Sequence, residues 1–159
     1  MNTIYEKAVE NAIKLASWVQ GFVKEVGKDA EKYGSSFRTR ARSFPELMES
    51  SGFLPAFTFF YAKATEDTYR KLCELVDDGK IEVTKVKEVK DEEFGYAVYL
   101  HGLSAFLQEL KLILDHKCPV YIIKELKEAN RLVLARNLLL PYLLEVKKLS
   151  EALFKGGRE

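Results

Sequence analysis

From Ile4 to Val26 the apolar residues Ile4, Ala8, Ala12, Leu15, Val19, Phe22 and Val26 recur every three or four positions, while Lys7, Glu10, Lys14 and Lys24 fall between them. That spacing matches about 3.6 residues per turn and dictates a long amphipathic helix with one face to bury. Such a helix gains most of its stability from packing, so the rest of the chain must supply the surface that covers it.

Helical spacing returns along most of the remaining chain. Gly27 and Gly34 bracket a polar stretch, after which Phe37 to Arg42 resume a helix that Ser43 is expected to end. Ser43-Phe44-Pro45-Glu46 reads as a capping box with proline in the first turn, opening a short helix that stops at Gly52. Phe53 to Ala64 reads as an aromatic-rich helix, with Phe57, Phe60 and Ala64 on one stripe and Leu54 and Tyr61 beside it. Phe53, Leu54, Phe57 and Phe60 are expected to pack against the first and last helices, with Gly52 supplying the left-handed turn. Thr65 is placed to cap a helix that turns Tyr69, Leu72, Cys73 and Val76 inward and ends near Asp78 and Gly79.

Between 80 and 90, Ile81, Val83, Val86 and Val89 fit neither a helical period nor a clean alternation, which marks a short irregular or hairpin segment. A helix from Phe94 to about Leu114 comes next. Pro119 opens the last one, with Ile123, Leu126, Val133, Leu140, Leu144 and Leu153 as its expected buried positions and Pro141 as a kink or break. With no strand–helix alternation, the expected fold is all-α: a single-domain helical bundle of about six helices over residues 1–159.

Composition fits one ordered domain, since 47% of the 159 residues are hydrophobic and Gly and Pro together number only 13. A formal net charge of +1 excludes a uniformly basic surface, so any contact with nucleic acid must be local. Cys73 and Cys118 form no C-x-x-C pair and no secretory signal follows Met1, which points to the cytoplasm. The most apolar run, Asn137 to Leu144, spans eight residues, and a bilayer crossing needs about 20.

No catalytic constellation emerges, so the chain reads as non-enzymatic, without metal or cofactor. His101 and His116 are the only histidines, and neither has a Cys, Asp or His at the i, i+3 or i+4 spacing of a helical metal site. Consecutive acids at Asp77-Asp78 and Asp91-Glu92-Glu93 point in different directions on a helix. A calcium loop started at Asp77 puts Glu82 where the turn requires glycine. The enzyme alternative is a helical metal-dependent nuclease working through Asp77 or Glu92.

Charge placement is the stronger signal. Lys32, Arg38, Arg40 and Arg42 lie in a stretch without acids, whereas 43–79 carries seven acids against three bases. Arg38 and Arg42 sit one helical turn apart, a spacing that suits two guanidinium groups to successive phosphates. Weaker basic stripes run through Lys124, Lys127 and Arg131, and through Lys147, Lys148 and Lys155, each with Glu nearby.

The stretch Phe37 to Lys63 adds a resemblance. An aromatic, Phe37, and a base, Arg42, precede Pro45, a short helix, the turn Ser51-Gly52-Phe53, an apolar helix with Phe57 and Phe59-Phe60, and the closing Lys63. This order is similar to the signature region of the small α-helical subunit of the type III-B (Cmr-type) CRISPR effector complex, with Ser51 in place of the usual Asn. Tyr99-Leu100-His101 and Leu143 to Lys148 also resemble that family.

The resemblance implies a non-catalytic structural subunit of an RNA-guided antiviral ribonucleoprotein, stacked with copies of itself as a minor filament beside other Cmr-type subunits. It would contact the guide RNA–target RNA duplex by shape and phosphate. Arg38, Arg40, Arg42, Lys63, Lys147 and Lys148 are the candidate RNA-facing residues, and Glu66, Asp67, Glu74, Asp77 and Asp78 the candidate interface between stacked copies. The alternative is a helical protein–protein adaptor that touches no nucleic acid.

Overall fold

The computed structural model describes residues 3–27, 30–77 and 89–156. Seven helices and no strand occur among them: α1 (Ile4–Val26), α2 (Glu31–Ser51), α3 (Phe53–Ala64), α4 (Glu66–Asp77), α5 (Asp91–Glu109), α6 (Pro119–Glu128) and α7 (Leu132–Leu153). The expected hairpin near 80–90 falls almost wholly outside the described residues, as does Asp78. Within that stretch Val89 is buried in the core and Lys90 precedes α5.

α1 begins at Thr3, whose hydroxyl accepts from Glu6 N at 3.1 Å while the Glu6 carboxylate accepts from Thr3 N at 3.4 Å. This reciprocal pair satisfies two amides that a helix start leaves orphaned. The α1 stripe is Ala8, Ala12, Leu15, Val19 and Phe22, all buried, with Ile4 exposed at its free end.

α5 is the hub. It is buried on nearly every side and packs on α2, α3 and α4, with α1 and α7 covering its remaining face, so it lacks the one-sided pattern of a surface helix. Two glycines let neighbours approach it. A Cβ at Gly95 would lie 2.9 Å from the Ser36 backbone of α2. One at Gly102 would fall 2.5 Å from Leu15 of α1 and 2.9 Å from the Tyr142 hydroxyl of α7.

Four expectations are corrected. Ser43 neither ends a helix nor caps one, because α2 runs unbroken through Gly34 and Pro45. Its hydroxyl turns back to the Arg40 carbonyl at 3.3 Å. A proline inside a helix costs about 3 kcal/mol, but Phe37, Ala41, Phe44 and Met48 make one buried stripe across it. Phe44 meets Phe60 edge-on with centroids 4.9 Å apart and Tyr99 at 5.2 Å, and tertiary packing of this kind outweighs local propensity.

The last segment divides at Asn130, which takes φ +56°, and not at Pro141, which sits inside α7. Asn adopts that left-handed conformation more readily than most residues. The face of α7 also differs: Ala135, Leu139, Tyr142, Leu143 and Val146 are buried, whereas Val133, Leu140, Leu144 and Leu153 are exposed. Finally, α3 packs chiefly on α5 and α2 rather than on the first and last helices. Gly52 does hold the α2–α3 turn at φ +93°, a conformation that favours glycine.

Candidate nucleic-acid interface

The basic residues of α2 are not equivalent. Arg38 lies half-buried against the chain end, where its Nη1 would meet a Cβ placed on Gly156. That end is fixed by Phe154, edge-on to Phe37 at 5.8 Å, and by the Ser35 hydroxyl donating to Lys155 O at 2.8 Å. Arg42 is exposed one turn further along the same helix.

Arg40 is held by α5. Its guanidinium carbon sits 4.2 Å from the centre of the Tyr96 ring, and its Nη1 donates to the Tyr96 hydroxyl at 2.5 Å. Phe59 of α3 leans edge-on to the same ring at 6.2 Å and is 45% exposed. The Lys63 ammonium, one turn later, lies 5.7 Å over the Phe59 ring. Arg40, Tyr96, Phe59 and Lys63 thus form a strip of two adjoining aromatic rings with a cation at each end, crossing three helices. Burial raises the Tyr96 phenol above its ordinary range, with Arg40 opposing and Glu92 adding, so the hydroxyl stays protonated beneath Arg40.

Chemically, such a strip offers two positive charges for phosphates and one exposed ring face for a base or ribose. Its cations are pre-positioned by ring contacts, so less side-chain freedom is lost when an anion binds. The helix spacing that singled out Arg38 and Arg42 misses it, because Tyr96 comes from a different helix.

The other candidates lie elsewhere. Lys147 is half-buried on α7, and Lys148 pairs with Glu145 at 2.6 Å. That hydrogen bond to Glu145 raises the ammonium pKa. Lys124 faces Glu128 at 4.0 Å, and Arg131 donates to the carbonyl of Leu112 at 3.2 Å.

Of the acidic residues of α4, Glu66 accepts from the Tyr61 hydroxyl, and Asp67 meets Arg70 at 2.9 Å and Lys71 at 3.1 Å. Hydrogen bonding to Lys71 holds the Asp67 carboxyl below its usual value. Glu74 is exposed. Asp77 turns to the two histidines, its Oδ1 lying 3.9 Å from His101 Nε2 and 3.5 Å from His116 Nε2. No sequence spacing announces that cluster, since its members are more than 14 residues apart and meet only in the fold.

The family model for the CRISPR-associated protein (Cas_Cmr5) matches residues 11–153. The chain belongs to this family. Its Cas_Cmr5 region runs from the second turn of α1 to the last residue of α7, and so takes in every element of the bundle. A solved structure agrees: a chain of the "Type III-B Cmr-beta bound to cognate target RNA and AMPPnP" superposes with a TM-score of 0.67 at 26% identity. The match covers 93% of this chain and 99% of that one. No curated protein matches. Cas_Cmr5 membership makes this chain a CRISPR-associated protein, and its described residues form an all-α bundle.

Proposed function

We propose that the chain is a non-catalytic structural subunit of a type III-B effector ribonucleoprotein, acting in the cytoplasm as one helical domain. Copies of it stack as a minor filament beside the other Cmr-type subunits and face the guide RNA–target RNA duplex. The observation that carries this reading is the near-complete match to a chain of the Cmr-beta assembly, which is described as bound to target RNA.

Two features of the surface support the finer points. The Arg40–Lys63 strip offers charge and ring stacking without a base-specific edge, as a subunit that leaves sequence to base pairing requires. Val133, Leu140 and Leu144 of α7, at 73%, 45% and 46% exposure, present an apolar surface of the kind that mediates protein contacts. Arg42, Arg38 and the α4 acids remain candidates for contact between copies.

The experiment is an Arg40→Glu, Lys63→Glu double variant assembled with the remaining effector subunits and guide RNA. Expected are assembly of unchanged mass and weakened target-RNA retention, with the slope of log affinity against log salt concentration reduced by about one per lost phosphate contact. Lost assembly would assign the strip to a protein interface. Unchanged retention at every salt concentration favours the adaptor reading.

A further inference from the structure

Asp77, His101 and His116 come from the last residue of α4, the middle of α5 and the connection between α5 and α6. One potential ligand atom from each lies within 4.8 Å of the other two. They line a groove of about 370 Å³ together with Asn11, Lys14 and Trp18.

The polarity of the cluster is the telling feature. Gln108 Oε1 accepts from the His116 backbone amide at 3.1 Å and lies 2.6 Å from His116 Nδ1. A carbonyl oxygen there places the ring proton on Nδ1, which leaves the Nε2 of a neutral His116 as a lone pair. That nitrogen lies 3.5 Å from the Asp77 carboxylate oxygen. His101 is 6% exposed, and its Nε2 and that of His116 are both buried without a hydrogen-bond partner. Three electron-pair donors therefore converge, with Lys14 the only lysine or arginine among the described residues lining the groove, and such an arrangement costs energy unless a cation joins it.

We propose that Asp77 Oδ1, His101 Nε2 and His116 Nε2 bind one divalent transition-metal ion of the zinc class, with its remaining coordination position open to the groove. Tetrahedral zinc with bonds of about 2.0–2.2 Å sets its ligand atoms about 3.4 Å apart. The carboxylate oxygen is 3.5 and 3.9 Å from the two nitrogens and all three ligand atoms lie within 4.8 Å of one another, so the side chains must draw together by up to about 1.4 Å to complete the site. Two imidazoles and one carboxylate select zinc, cobalt or nickel over magnesium and calcium, which take oxygen ligands.

The support around the ligands fits that role. Gln108 fixes the His116 ring, and the Tyr69 hydroxyl donates to the His116 carbonyl at 2.5 Å. Metal-bound histidines usually have such a partner on the second nitrogen. The ion would tie the end of α4 to α5 and to the 110–118 connection. This inference does not depend on how the chain assembles.

The test uses the full chain, freed of metal by chelator and titrated with cobalt(II) and then zinc. Expected are one cobalt per chain with the intense visible absorption of low-coordinate cobalt, its displacement by zinc, and a zinc-dependent rise in the unfolding midpoint. Asp77→Asn and His116→Gln alter the less buried ligands and keep the fold by circular dichroism, and each lowers affinity at least tenfold. Gln108→Leu, a positioning change, lowers it about 10–100-fold. Absence of stoichiometric cobalt, or affinity unchanged in both ligand variants, overturns the proposal.

Discussion

The Arg40 guanidinium stacks on the Tyr96 ring at 4.2 Å and donates to its hydroxyl at 2.5 Å, so a surface arginine of α2 is fixed by a buried side chain of α5. The contact has two components that can be separated. The ring attracts the cation through its negative face, and the hydroxyl accepts a charge-assisted hydrogen bond.

A double-mutant cycle should resolve them. Tyr96→Phe keeps the ring and removes the acceptor, and it is expected to cost about 1 kcal/mol. Arg40→Met keeps the length and removes both interactions, for about 1–2 kcal/mol. A coupling energy of about 1 kcal/mol by chemical denaturation would establish the pair. Additive losses would mean that the two residues act independently.

Gly95→Ala provides a sharper test of the helix packing. Alanine is the better helix former by about 1 kcal/mol, but its methyl would stand 2.9 Å from the Ser36 backbone. Backbone cannot rotate away as a side chain can, so α2 and α5 must separate. A net loss of about 1–3 kcal/mol is expected. A gain in stability would show that the two helices are not in the close contact described.

Where sequence alone succeeded and failed reflects the range of the interactions. The α1 stripe was legible because Ala8, Ala12, Leu15, Val19 and Phe22 repeat a single period with charges between them. Pro45 and Gly34 look like boundaries because local propensity disfavours both inside a helix. Their tolerance depends on Phe44 reaching Phe60 and Tyr99, and on Phe154 filling the space beside Gly34. The all-α class and the resemblance to the Cmr-type subunit were both visible in the chain. Of the candidate RNA-facing residues, Arg40 and Lys63 come together only through Tyr96 and Phe59. The Asp77–His101–His116 cluster joins three elements, so no periodic pattern could have revealed it.

The register of α7 yields a paired prediction. Leu139 and Leu143 are fully buried, while Leu140 and Leu144 are about half-exposed. Leu139→Ala or Leu143→Ala should cost about 2–5 kcal/mol. Leu140→Lys with Leu144→Lys should shift isolated-chain stability by less than about 1 kcal/mol, yet reduce incorporation into the effector assembly. Thermal melts and co-purification separate the two outcomes, and equal destabilisation by both pairs would contradict the assigned face.

Pro141 gives the opposite sign from most substitutions. It lies inside α7 with Leu139, Tyr142 and Leu143 buried around it. There the proline ring crowds the preceding turn and supplies no amide to the carbonyl four residues back, a cost of about 3 kcal/mol in an ideal helix. Replacing it with alanine restores that donor, but also frees the unfolded chain by about 0.4–1 kcal/mol. The first effect is larger, so Pro141→Ala should stabilise the isolated chain by about 1–2 kcal/mol and raise its unfolding midpoint. A lowered midpoint would mean that α7 has adapted to the proline so closely that its ring contributes more by packing than its missing donor costs.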